Sequence, residues 1–372
     1  MKPLVHISRF LVGALFIFSG LVKAIDPLGL TYKMQEFFEV WIQDGYFVKA
    51  VSFLNNHAFL FSVAMITAEV VLGVALLIGW RKKLVLWLLL LLMLLFTFLT
   101  AFVLFSGKIR ACGCFGDCIP LTPVQTFTKD IILLALLLLL LAKQKYIEPL
   151  LGYRLPFAIV MIALIGTLFL QHYVIEHLPI VDCLPYKKGN NILELRKMPA
   201  NAIPDKYSYS FVYEKGGEKK DFTTDALPDS TWKFVERKQT LVQKGSNNVP
   251  LINDFILSDS TGADSTETIL SKPLYYLFLI KEVTDDTDKW LSVFTDIAKS
   301  AAKGNVPLYI VTADPKGANK FFNSIHDFKL PVYTCDAIAL KTAARANPTL
   351  LVMTGSVIKE KYSWADMDVL VK

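Results

Sequence analysis

Long apolar runs dominate the first 175 residues of this 372-residue chain, and a mixed polar and apolar pattern fills the rest. The first run extends from Leu4 to Ile25, the second from Phe59 to Trp80 and the third from Leu84 to Ser106. The fourth begins near Asp130 and contains Ile131 to Ala142, and the fifth is Leu155 to Tyr173. Pro156 falls in the first turn of that last run, where its ring is tolerated. A spanning helix needs about 20 apolar residues, so the pattern predicts five spans, the fourth completed by its flanking residues. Between the first two runs, Tyr32 to Trp41 interleaves aromatic and charged residues at helical spacing. That spacing predicts an amphipathic helix at the membrane interface, capping the bundle.

Beyond residue 175 the periodicity changes. Residues 176–200 carry Pro179, Pro185, Gly189 and Pro199 and read as a linker. Tyr207 to Tyr213 alternates in the manner of a strand, Gly216-Gly217 makes a turn, and Lys219 to Thr223 returns as a hairpin partner. Thr231 to Val242 is compatible with a third strand of this small subdomain. From Val249 onward, apolar strands at Pro273–Lys281, Val306–Thr312 and Pro331–Thr334 alternate with helices at Asp285–Ala302, Pro315–Ile325 and Ala337–Arg345. A closing hairpin follows, from Pro348-Thr349 through Met353 and then Val357 to Tyr362. The expected architecture is a membrane α-helical bundle over 1–175, a linker and small β subdomain over 176–248, and an α/β domain over 249–372.

Charge orients the bundle. Arg81, Lys82 and Lys83 join spans two and three, Lys143, Lys145 and Arg154 join spans four and five, and Lys2 and Arg9 precede the first. Basic short loops stay in the cytoplasm. The expected location is therefore a bacterial inner membrane with the N-terminus cytoplasmic. The segment Asp26–His57, the loop after span three and the whole C-terminal half then lie outside. Phe10 to Val22 is followed by no small-x-small cleavage signal, so an uncleaved helix is expected rather than a signal peptide. The net charge of +6 is scattered without a basic stripe, which argues against nucleic acid and leaves the lipid bilayer as the evident partner.

The chemistry concentrates in Ala-Cys-Gly-Cys-Phe-Gly-Asp-Cys, residues 111–118, which holds three of the five cysteines. Gly113 and Gly116 permit the tight turns that bring Cys112, Cys114 and Cys118 together. Cys183 sits beyond the fifth span on the same side, and an odd cysteine count rules out complete internal pairing. Glu69 falls near mid-bilayer, where an ionisable side chain is costly and needs a partner. Either its ionisation is used, or a protonated or hydrogen-bonded Glu69 fixes helix packing with Ser19 or Lys23. Asp130 beside Lys129 reads as a solvated helix start. The histidines show no metal-ligand spacing, and neither a phosphate loop nor a hydrolase motif is present.

Two resemblances add to this reading. Arg9-Phe-Leu-Val-Gly13, Phe16-Ile-Phe-Ser-Gly20 with Lys23, and Ala68-Glu69 through Gly73 to Gly79 resemble the first two helices of DoxX-like membrane proteins. Cys112-Gly-Cys-Phe-Gly-Asp117 resembles the loop of the methylamine-utilisation MauE branch of that superfamily, over about residues 5–145. That likeness implies thiol–disulfide chemistry in maturing an exported protein. The large C-terminal domain departs from the MauE pattern, so the MauE client does not carry over. The element order over 249–372 resembles the thioredoxin-like fold of TlpA-type proteins, with Pro348 in the place of their cis-proline. Their Cys-x-x-Cys would fall at Lys281 to Asp288, which contains no cysteine, and Cys335 reads as a lone buried thiol.

These features leave three readings. In the first, Cys112 and Cys114 exchange electrons with an exported client and Cys118 or Cys183 resolves. A disulfide across one residue is strained, and strained disulfides are the labile ones. A pair that merely staples the loop is the plain alternative. In the second, the chain is a non-catalytic scaffold that binds an exported partner at an exposed Pro348 edge. In the third, Cys112, Cys114, Cys118 and Cys183 hold a structural zinc, although Cys-x-Cys-x-x-x-Cys is not a common knuckle. No cofactor motif is present, so a quinone or other electron acceptor has no signature in the sequence.

Overall fold

A computed structural model describes residues 2–371, apart from 110, 111, 151, 153, 244, 246 and 284. Ala111 of the cysteine stretch and Thr284 of the Lys281–Asp288 segment therefore lie outside the described residues. The helical half comprises α1 (Lys2–Ala24), α2 (Pro27–Gln43), α3 (Val48–Asn56), α4 (Ala58–Ile78), α5 (Lys82–Ser106), α6 (Pro123–Ala142) and α7 (Arg154–His177). Among the described residues, α1, α4, α5, α6 and α7 are long and apolar enough to cross a membrane. The segment between α1 and α4 forms two helices, and Phe37 and Phe38 of α2 turn inward onto the bundle.

Helices α1 and α4 are pressed together by their glycines. A Cβ on Gly13 would stand 2.6 Å from the Leu77 side chain, and one on Gly73 would stand 2.9 Å from the Gly13 carbonyl oxygen. Further along, a Cβ on Gly20 would meet Glu69 Cβ at 3.1 Å. Small residues permit this backbone-to-backbone approach, and van der Waals packing then holds helices that gain no hydrophobic drive in lipid. The same approach carries Glu69 up to Lys23. At the opposite end, Arg9 donates to the Leu76 and Leu77 carbonyls, at 2.8 and 2.6 Å, and to the Glu148 carbonyl at 3.0 Å. Lys82 donates there to the Ile147 carbonyl, so the basic connections gather at one end.

Helix α6 starts seven residues before the Asp130 start expected from the apolar run. Thr122 accepts from Gln125 N–H while the Gln125 side chain accepts from Thr122 N–H, and Pro123 occupies the first turn. This reciprocal cap nucleates the helix within a polar stretch. Asp130 thus lies inside the helix and is fully buried rather than solvated.

The C-terminal half begins with α8 (Ile192–Leu195), then β1 (Lys206–Lys215), β2 (Glu218–Thr223) and β3 (Lys233–Gln243). These three strands form an antiparallel sheet in the order β2-β1-β3, and every residue of β3 is exposed. The remaining α-helices and strands are α9 (Thr266–Leu270), β4 (Tyr275–Ile280), α10 (Leu291–Lys303), β5 (Leu308–Thr312), α11 (Pro315–Asn319), β6 (Val332–Thr334), α12 (Ala337–Ala343), β7 (Thr349–Thr354) and β8 (Val357–Ser363). They build a five-stranded sheet in the order β6-β5-β4-β7-β8, parallel from β4 to β6 and antiparallel across β7 and β8. Strand β4 reads Tyr-Tyr-Leu-Phe-Leu-Ile because both its faces are covered, with Phe278 packed on Phe294 and Leu277 in the opposite core.

Residues 176–200 are more than a linker. Tyr186 and Ile192 are buried in the core of the α/β domain, and Asn191 bridges to Val357 beside β8. Apolar side chains between the prolines anchor this segment, which the proline and glycine spacing alone does not reveal.

Candidate functional site

The cysteine loop lies at the end of the bundle that meets the α/β domain. Gly113 and Gly116 adopt φ of 73° and 59°, which glycine takes without steric cost, and Gly116 N–H donates to the Gly113 carbonyl at 2.9 Å. This turn sets Cys112 Sγ 3.1 Å from Cys114 Sγ, both as free thiols. Cys112 is buried against Phe37, Val103 and Ile109, and Cys114 is half-buried.

Charged groups lie directly beneath. Lys23 and Glu69 form an ion pair with side chains only 3% and 1% exposed. Ser19 Oγ stands 2.9 Å from Glu69 Oε2 and 3.1 Å from the Cys114 carbonyl oxygen, so its hydroxyl links the pair to the loop backbone. A second buried carboxylate, Asp130, accepts from Thr100 Oγ1 at 3.0 Å and is paired with Lys129. Ser19, Glu69, Phe115, Lys129 and Asp130 border a small cavity of about 20 Å³, room for one water between the two ion pairs. Lys129 Nζ also sits 5.1 Å from the Phe115 ring centre, within the loop itself.

This setting separates the two thiols. The hydrogen bond from Cys112, followed by the Lys129 and Lys23 charges, holds Cys114 below the ordinary thiol range despite burial and Asp130. The same sulfur–sulfur hydrogen bond, then burial, pushes Cys112 up, so Cys112 retains the shared proton when Cys114 ionises. A thiolate beside a protonated thiol is the arrangement that exchange requires.

The other two cysteines predicted for this site are joined to each other. Cys118 and Cys183 form a disulfide with Cα atoms 4.9 Å apart across 65 residues of sequence. Their thiolates are thereby consumed, so the four-cysteine zinc site is corrected: among the described residues, no group of three or more His, Cys, Asp or Glu is placed to hold a metal ion. The bond fastens the loop to the entrance of the α/β domain. Cys335 lies apart, buried in the α/β core, where burial pushes its thiol up to about 12.

A second clasp joins the halves. Arg345 Nε donates to Asp26 Oδ2 at 2.9 Å, and its Nη2 donates to Asp117 Oδ2 at 3.0 Å. Asp26 caps α2 by accepting from Gly29 N–H, while Asp117 is the neighbour of Cys118. Arg345, Lys341 and Lys281 all approach the Tyr32 ring, with charge-to-centroid distances of 5.4, 5.3 and 5.9 Å. Lys281 Nζ donates to Tyr32 Oη at 3.1 Å, and Lys281 N–H donates to the Asn347 side chain at 2.8 Å. The Asn347–Pro348 bond is cis, and Pro348 is buried. The exposed Pro348 edge expected for a scaffold is therefore absent: the strand end that carries it is closed over by Lys281, Asn347 and the contacts to α2.

Residues 1–143 match the family model for methylamine utilisation protein MauE, and residues 207–244, which contain the three-stranded sheet nearly whole, match a domain of unknown function (DUF8463). Comparison with curated proteins and with solved structures gave no match. In sequence, then, the part of the chain that contains α1 through α6 and the cysteine loop is similar to the MauE family.

Proposed function

We propose that this chain is a thiol–disulfide exchange protein of a bacterial inner membrane, with Cys112 and Cys114 as the exchanging pair and an exported protein as its client. The observation that carries the reading is the pair itself: free sulfurs 3.1 Å apart, one thiol lowered and the other raised, above buried ion pairs. In the oxidising direction, a client thiolate attacks the more accessible Cys114 of a Cys112–Cys114 disulfide, and Cys112 leaves and takes a proton. A second client thiolate then attacks the client sulfur of the mixed disulfide and expels Cys114 as thiolate, favoured by its lowered pKa. One disulfide forms in the client, and its two electrons remain in the Cys112–Cys114 dithiol.

The membrane half is read as DoxX-like, with the loop and C-terminal half outside the cytoplasm. The basic residues that collect beside Glu148 and Ile147, away from the cysteines, support that orientation. The α/β domain is read as thioredoxin-like without Cys-x-x-Cys, supported by antiparallel β7 beside β4 in an otherwise parallel set. Its role in this reading is to cover and position the loop through Arg345. A client has the uniformly exposed β3 as an accessible surface.

Cysteine variants expressed in membranes test the assignment. Cys112→Ser and Cys114→Ser should each abolish exchange, and Cys112→Ser, which retains the more accessible Cys114, should accumulate a mixed disulfide. A stapling pair would lower stability in both variants without trapping any protein.

A further inference from the structure

A cavity of about 270 Å³ opens beside the two thiols. Phe37, Phe38 and Trp41 of α2 cover it, and Met65 of α4 and Leu95 and Phe96 of α5 form its sides. Cys112, Gly113 and Cys114 close the end nearest the loop, and Lys23 enters from α1. Leu95 is 40% exposed on a membrane-length helix, so the wall toward lipid is thin.

We infer that this cavity binds the head group of an isoprenoid quinone, which removes the two electrons from the Cys112–Cys114 dithiol. The inference rests on the exchange reading, since a pair that takes electrons from clients must pass them on. Several features select the acceptor. The walls are aromatic and aliphatic, suited to a flat uncharged ring and hostile to the phosphates of a nucleotide cofactor. The volume lies near the lower end of the ~300–1,000 Å³ usual for ligand pockets, enough for one substituted ring whose tail leaves past Leu95. Two lysines line the cavity: Lys33 is paired with Glu36, and the buried Lys23 is held by Glu69 and stands 4.8 Å from the Phe96 ring centre, where an ammonium stabilises negative charge growing on a ring oxygen.

The Cys114 thiolate adds to a ring carbon, and the ring oxygen takes a proton. Cys112, losing its proton, attacks the Cys114 sulfur. The carbon–sulfur bond breaks with its electron pair returning to the ring, and a second proton completes the quinol. Counted from the dithiol, whose first proton is lost when the Cys114 thiolate forms, two S–H bonds become one S–S bond, and the quinone gains two electrons and two protons.

The full-length protein, purified in detergent with Cys112 and Cys114 reduced and Cys118–Cys183 intact, tests this with decylubiquinone under anaerobic conditions. One quinol should form per chain as Cys112 and Cys114 become a disulfide by mass spectrometry. Leu95→Trp and Met65→Trp, which fill the cavity, should slow this by roughly tenfold or more. A cooperative thermal unfolding transition in detergent, as in the unaltered protein, identifies variants that have folded. An azidoquinone should label α2, α4 or α5 in the unaltered protein, a result that depends on no variant. Labelling elsewhere, or an unchanged rate in both folded variants, overturns the site. Oxidation of the pair by diamide but not by quinone overturns the acceptor and leaves the exchange reading standing. Failure of diamide as well overturns both.

Discussion

Arg345 of the α/β domain donates to Asp117 Oδ2 at 3.0 Å, one residue from the Cys118–Cys183 disulfide. The same guanidinium holds Asp26 at the start of α2, so one side chain ties the domain to both borders of the thiol site. Burial pushes the Asp26 carboxyl up, and Arg345 is the main group opposing that rise. Replacing Arg345 by Ala strands the partly buried Asp26 carboxylate, at a cost below the about 3–5 kcal/mol of a fully buried pair. The variant should expose α2 and the loop to protease and speed alkylation of Cys114. Unchanged protection would show that the disulfide alone holds the halves together.

Lys23 and Glu69 should prove interdependent. Glu69→Gln leaves Lys23 as an uncompensated charge among apolar helices, with a loss of about 3–5 kcal/mol. Lys23→Met with Glu69→Leu should recover much of that stability, because paired replacement by apolar residues is close to neutral. Thermal unfolding in detergent measures both. If the double variant folds and exchange is lost, the pair serves chemistry; if exchange persists, it serves packing.

The disulfide should act as a brace. Cys118→Ser or Cys183→Ser opens a 65-residue loop, and such bonds contribute about 2–4 kcal/mol. A matching fall in the denaturant midpoint of the α/β domain is expected. An unchanged midpoint would mean that the Arg345 clasp and Lys361–Asp182 suffice.

Docking of the halves should also depend on pH through Lys281. Burial, then the Arg345 charge, lowers its ammonium from 10.5 to about 8. Between about 8 and 10.5 the unfolded chain binds the extra proton, so the folded and docked state strengthens as pH rises through that window. Below about 8 both states are protonated, and this group adds no slope. Protease protection of the interface measures the effect, and Lys281→Met should flatten it.

Much of the fold was legible because lipid demands long apolar runs and a doubly covered strand reads as continuous Tyr-Tyr-Leu-Phe-Leu-Ile. The α6 start was obscured by Gln125, Thr126, Lys129 and Asp130, whose polarity suggests solvent although Thr126 and Asp130 face inward. The Thr122-Pro123-x-Gln125 cap was the available signal. Lys23, Ser19 and Glu69 stood out because ionisable groups are rare in spans. Apolar periodicity carries no information about the Cys118–Cys183 pairing or about Arg345 with Asp26 and Asp117. Those contacts depend on docking elements far apart in sequence, and the same docking buries Pro348 and orders residues 176–200.

The most direct test is differential alkylation of all five cysteines in intact membranes, before and after a pulse of reductant followed by recovery. Cys112 and Cys114 should move together between thiol and disulfide, while Cys118 and Cys183 stay bonded to each other and Cys335 stays reduced. A Cys112–Cys114 pair that never forms a disulfide, or recovery carried by Cys118 and Cys183 instead, would contradict the account.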